Sequence, residues 1–293
     1  MSYKLHERLV APARNKSDIL RLIFGLITIT FFYMVMIMLA GHVVSVIMGD
    51  AWVQTIATSQ GRTSPGQMLT VLGSFGFMII AIFLVVILLH HRSPMTLLGG
   101  FRLTTTQFRK ATRNLLPYMA LMAIFALLTG DLQPNLALGL WLSLLPLTSL
   151  FLLVQVTAEE LLFRGYLQSQ LAALGLHKSI WILLPAILFG LLHYDPIMTG
   201  SSAPWVVLWA ITFGVLAADL TARSGTLGPT IAFHFAVNFL SIAVIGIGDY
   251  LGGLSLYVYP FSITDTPQLI TNLPVDTIGM ILAYLSVRLA LRR

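Results

Sequence analysis

Apolar runs of about 20 residues recur along the sequence, and that is the length a helix needs to cross the hydrocarbon of a bilayer. Eight candidates stand at residues 20–47, 68–89, 114–128, 137–162, 179–194, 203–222, 226–247 and 275–291, the third and the last being short. Only 10% of the 293 residues are charged and 57% are hydrophobic. Soluble domains hold about a quarter charged residues, so a water-facing fold would lack polar surface. The expected fold class is all-α, a multi-pass transmembrane bundle of about eight spans. It reads as one membrane domain: a basic segment 1–19, N-terminal spans 20–135, a core 136–248, and an outer loop with the last span, 249–293. The first apolar run is too long for a signal-peptide core and no small-residue cleavage site is evident. It is expected to stay in place as a span.

The net charge of +6 is explained by where the charges fall. With the N-terminus inside, every Lys and Arg except Arg62 falls on inner segments, and shifting the topology by one span destroys that asymmetry. The positive-inside rule therefore predicts an even number of spans and two cytoplasmic termini. Asp50, Asp131, Asp195, Asp249, Asp265 and Asp276 fall in the expected outer loops, with Trp52, Trp141 and Trp205 near outer boundaries and Trp181 near an inner one. The basic stretch from Arg102 to Arg113 is expected to rest on anionic lipid headgroups, which accounts for the high pI without nucleic acid. There is no cysteine, so disulfides, thiolate metal sites and a Cys nucleophile are excluded.

A charge at the centre of a spanning helix costs roughly 2.5–3.5 kcal/mol on insertion scales, so several in one bundle demand a reason. Thr157-Ala-Glu159-Glu160-Leu-Leu-Phe-Arg164 closes the fourth span, His193 follows the fifth, and His234 with Asn238 lies inside the seventh. Glu160 and Arg164 are four apart with the acid first, the favourable order for a helical ion pair. That pair is read as structural. Glu159 points about 100° away from Glu160 and has no sequence-local cation, so it is the better candidate to take a proton from water. Phe189 and His193 share one helix face, as do His234 and Asn238. An imidazole from another helix could help Glu159 polarise a water, while a neutral imidazole and a carboxamide on one stripe can donate to a developing oxyanion.

The three elements Glu159-Glu160-x-x-x-Arg164, Phe189-x-x-x-His193 and His234-x-x-x-Asn238 together resemble the signature of the CAAX-protease and bacteriocin-processing family of intramembrane proteases. The likeness covers about residues 138–247, and the first three spans share only the hydrophobic pattern. The resemblance implies an intramembrane endopeptidase core in segment 136–248. Glu159 and His193 would activate the water, His234 and Asn238 would stabilise the oxyanion, and Glu160, Arg164 and Phe189 would support the site. Family members are described both as metalloproteases and as metal-independent glutamate proteases. No His-Glu-x-x-His helix is present, yet Glu159, His193 and His234 could form a His₂Glu zinc site. The metal-free version is preferred, because Asn238 reads more naturally as an oxyanion donor.

The implied partners are a peptide or membrane-anchored protein substrate and, at the inner face, anionic lipid, with no nucleic acid. The implied location is a bacterial cytoplasmic membrane. Taken singly, each motif has a plainer explanation: an interfacial salt bridge, a headgroup-facing histidine, interhelical hydrogen bonds. A non-catalytic membrane adaptor would need no joint presence of Glu159 and both histidines. A proton-coupled transporter would use buried Glu and His as a relay, but the paired halves common among transporters are not evident. Counting from the inner surface, His193 lies deeper than His234 and Glu159 looks shallow. Convergence requires the fourth helix to run on past Arg164 toward Gln170 and the fifth to start later or tilt.

Overall fold

The computed structural model describes residues 3–57 and 64–292. Arg62, the one basic residue expected outside, lies outside the described residues. The chain is an all-α multi-pass bundle and an integral membrane protein. Among the described residues six helical segments are long and apolar enough to cross a membrane, and two shorter apolar helices, Lys178–Leu191 and Gly228–Val244, occupy the fifth and seventh positions read from the sequence.

The helices are α1 (Ile19–Met48), α2 (Pro65–Leu88), α3 (Phe101–Thr129), α4 (Leu138–Glu160), α5 (Lys178–Leu191), α6 (Ala203–Ser224), α7 (Gly228–Asn238) and α8 (Thr266–Leu291). Leu20, Met38 and Val46 of α1 are 76%, 73% and 73% exposed. Apolar side chains on the outer face of a bundle suit lipid rather than water.

The two runs that look short in the sequence belong to full-length helices. α3 begins at Phe101 and winds unbroken through the basic stretch, because Arg, Lys and Gln are good helix formers. α8 begins at Thr266, where the Asp265 carboxylate accepts from the Gln268 amide at 3.2 Å and Pro267 occupies the first turn. This corrects the position of Asp276, which is not in an outer loop but ten residues inside a spanning helix. α4 does not stop at Glu160: it continues through a π-helical stretch, Leu161–Gln168, into Ser169–Ala173. α7 likewise passes into π-helical turns over Phe239–Val244.

Close helix contacts set the core. A Cβ on Gly190 of α5 would collide with Ile211, and one on Gly214 of α6 would lie 2.8 Å from the Ala186 Cα. Small residues let these two backbones approach, the usual packing device between membrane helices. At the end of the bundle opposite the termini, strands β1 (Gln133–Pro134), β2 (Ile245–Ile247) and β3 (Tyr257–Tyr259) form a small sheet in the order β1-β3-β2. Trp141 donates from Nε1 to the Ala243 carbonyl at 2.7 Å and Asn135 donates to the Ser255 carbonyl at 2.8 Å, fastening this roof to α4 and α7.

The basic N-terminal segment is folded. Its short turns Lys4–His6, Glu7–Val10 and Ala11–Lys16 bury Leu9, Val10 and Ala13. Tyr3 donates to Asp219 of α6 at 2.7 Å, and the His90 Nδ1 donates to the Lys16 carbonyl at 3.1 Å while its Nε2 meets the Tyr166 hydroxyl at 2.9 Å. The Leu5 carbonyl sits so close to Gly225 that any side chain there would strike it.

His6 makes this cap sensitive to acid. Its ring lies 4.7 Å from Trp181 and its Nε2 is buried without a hydrogen-bond partner. Burial, opposed weakly by Glu7, pushes its pKa down to about 4 from 6.5. A detached segment therefore binds more protons than a docked one between those values. Docking is fully favoured above pH 6.5 and weakens as pH falls toward 4, by at most about 3 kcal/mol. Hydrogen exchange of residues 3–16 should accelerate across that window, and a His6→Phe variant should lose most of the pH dependence. An equal slope in the variant would refute the assignment.

Candidate active site

Glu159 and Glu160 gain their depth from the length of α4. With the helix running to Ala173, Glu159 lies 14 residues from its inner end, about 21 Å at 1.5 Å per residue. His193, 15 residues beyond Lys178, reaches about the same level, roughly 22 Å. His234 is only six residues into α7, but α7 does not begin at the surface. The turn from Ser224 to Thr230 is buried, and the Leu227 amide donates to the Leu98 carbonyl at 3.1 Å beneath the N-terminal cap. The three helices therefore converge despite unequal spacing from their inner ends.

Behind the site lies a charged cluster closed off from water. Arg164 Nη1 donates to Glu160 Oε1 at 2.9 Å with both side chains fully buried. Its Nη2 donates to the Gly214 carbonyl at 3.3 Å. The guanidinium carbon lies 4.8 Å from the Phe189 ring centroid and 5.6 Å from that of Phe213, an arrangement that attracts a desolvated cation. His234 stands between the two glutamates. Its Nδ1 is 2.8 Å from Glu160 Oε1 and its Nε2 is 3.5 Å from Glu159 Oε2. Glu160 is thus shared by Arg164 and His234 rather than committed to the arginine alone. Glu159 Oε2 is buried and has no hydrogen-bond partner among the described residues.

In front lies a cavity of about 480 Å³ whose lining includes Gln155, Glu159, His193 and Asn238. His193 Nδ1 is 2.8 Å from the Phe189 carbonyl. A carbonyl only accepts, so this nitrogen carries the proton, and in the neutral ring Nε2 remains the acceptor. Asn238 donates from Nδ2 to Gln155 Oε1 at 3.1 Å. His234 does not line the cavity, so the expected stripe of His234 and Asn238 facing the substrate together is not formed. The imidazole is taken up by the carboxylates and only the carboxamide reaches the open space.

Gln155 is the residue that motif reasoning missed. It sits one turn before Glu159 on the same helix face, a polar side chain inside an apolar span. That spacing was the available signal. Among the described residues no three His, Asp or Glu side chains are grouped so as to hold a metal ion. Glu159 and His234 face each other, but His193 is tied to its own helix and packs on Phe189 at 4.7 Å instead of joining them as a third ligand.

Residues 141–240, spanning the whole of this arrangement, match the family described as Type II CAAX prenyl endopeptidase Rce1-like. This segment is similar to that family over about a third of the chain. The match covers the glutamate pair, His193, His234 and Asn238, and leaves α1, α2, α3 and α8 outside it. The chain is also 26% identical over 156 residues to the uncharacterized protein YyaK of Bacillus subtilis (strain 168), an alignment covering 50% of this chain and 52% of YyaK. The chain thus matches about half the length of that curated relative. No solved structure matches.

Proposed function

We propose that the chain is an intramembrane endopeptidase in which Glu159 is the general base. A water in the cavity gives its proton to Glu159 while His193 Nε2 accepts the second hydrogen bond and orients the oxygen. The hydroxide attacks a substrate carbonyl, and Asn238, held in place by Gln155, donates to the oxyanion. Glu159 then passes the proton to the leaving amine. His234 acts through Glu159: a proton between its Nε2 and Oε2 makes the 3.5 Å contact attractive and sets the orientation of the carboxylate. Glu160 and Arg164 hold that imidazole in turn.

The observation that carries this reading is the meeting of Glu159, His193 and Asn238, from three helices, on one cavity. The Rce1-like match over the same helices supports it, and the pairing of His234 with both carboxylates supports a metal-free route. A peptide or membrane-anchored protein is the substrate class that such a site would serve. The test compares membrane proteomes of cells carrying wild-type protein and a Glu159→Gln variant. Uncut precursors should accumulate with the variant, and identical proteomes in the two strains would sink the proposal.

A further inference from the structure

The same cavity carries a second carboxylate that the chemistry above does not use. Leu269, Leu273, Asp276 and Gly279 all line it, and their spacing of four, three and three residues marks one face of α8. Asp276 lies about 15 Å below the outer end of α8, and Tyr118 about 16 Å below that of α3. Both residues line the cavity, as does Tyr259 of the roof sheet. Burial, and with it the charge of Asp276, pushes the Tyr259 hydroxyl upward. Among the described residues Asp276 accepts no hydrogen bond and forms no ion pair, and it is open to the cavity.

An acid placed so deep in a spanning helix costs roughly 2.5–3.5 kcal/mol when unpaired, and no cation among the described residues relieves it. Asp219, an acid near the inner end of α6, shows the contrast: Arg223, Tyr3 and Tyr284 all donate to it. Much of the rest of the lining is apolar, with Val71, Leu72, Phe75 and Val237 among the residues that contribute to it. A ligand fitting this space is apolar along its length, reaches Glu159 with one part and brings a cation to Asp276 with another. We propose that Asp276 determines specificity by receiving a lysine or arginine side chain of an otherwise apolar peptide. The inference rests on the peptidase reading for the identity of its ligand.

The test separates the two readings by using binding as well as cleavage. A set of fluorescent apolar peptides, each carrying one Lys at a successive position, is compared with Lys→Met counterparts on protein in lipid nanodiscs. In a Glu159→Gln background, one Lys position should bind at least about tenfold more tightly than its Met counterpart. Adding Asp276→Asn should bring that ratio to about one, whereas Asp276→Glu should keep it. A ratio that survives Asp276→Asn, or no Lys preference at any position in the Asp276 protein, overturns the proposal. Absence of cleavage by the Glu159 protein, with the binding ratio intact, would overturn the peptidase reading and leave the cation subsite standing.

Discussion

Purified Glu159→Gln protein should lose about 10²- to 10⁴-fold in peptide-cleavage rate, the range expected when a positioned general base is removed, while its folded yield stays at the wild-type level. The amide keeps the size of the carboxylate, so the cavity wall and the approach to His234 are preserved. What disappears is the ability to accept a proton. A Glu159→Asp variant draws the carboxylate back by one methylene and should also lose activity, since displacement of about 1 Å can cost 10²-fold. Full activity in Glu159→Gln would refute the mechanism. A parallel fall in folded yield would shift the residue to a structural role. Liposomes containing wild-type protein should show no proton-coupled uptake, which separates this reading from a transporter.

The second large effect is on folding. Arg164→Ala should cost about 3–5 kcal/mol, the usual penalty for leaving one member of a buried ion pair unpaired. Three independent contacts are lost together: the 2.9 Å bond to Glu160, the bond to the Gly214 carbonyl, and the aromatic seat formed by Phe189 and Phe213. Folded yield after detergent extraction is the measurement. An Arg164→Met, Glu160→Leu double variant should recover much of that yield, because two apolar side chains of similar volume leave no stranded charge. It should nevertheless be inactive, since His234 would lose the carboxylate that fixes it. A stable but inactive Arg164→Ala protein would contradict this division between holding and reacting.

Much of the bundle was legible in the sequence because membrane spans are written in local hydrophobicity. The motif residues were legible for a related reason, since each is a polar group that lipid tolerates only for cause. The missing parts depend on contacts between distant residues. Nothing near Tyr3 announces Asp219, 216 positions away, and the apolar face of the N-terminal turns is only Leu9, Val10 and Ala13. The sheet strands are two or three residues long, too short for an alternating pattern to register. Asp276 looked like a loop residue because the polar run before it, Thr266 to Asn272, masks the start of α8. Helical spacing gives His234 and Asn238 a shared face but not what occupies it. Glu160 reaches His234 from another helix, a placement that spacing along α7 cannot encode.

The N-terminal cap has one more consequence. It seals the end of the bundle where α7 begins, and none of its residues borders the cavity, whose walls and rim come from the opposite end and its roof of short strands. The shaft leading to Glu159 is therefore blind. On the peptidase reading, a peptide would enter from the far side or sideways from lipid, and both halves of a cut chain would retreat by the route the intact one took. For substrates with long flanking segments, escape rather than bond breaking would then set the pace of turnover.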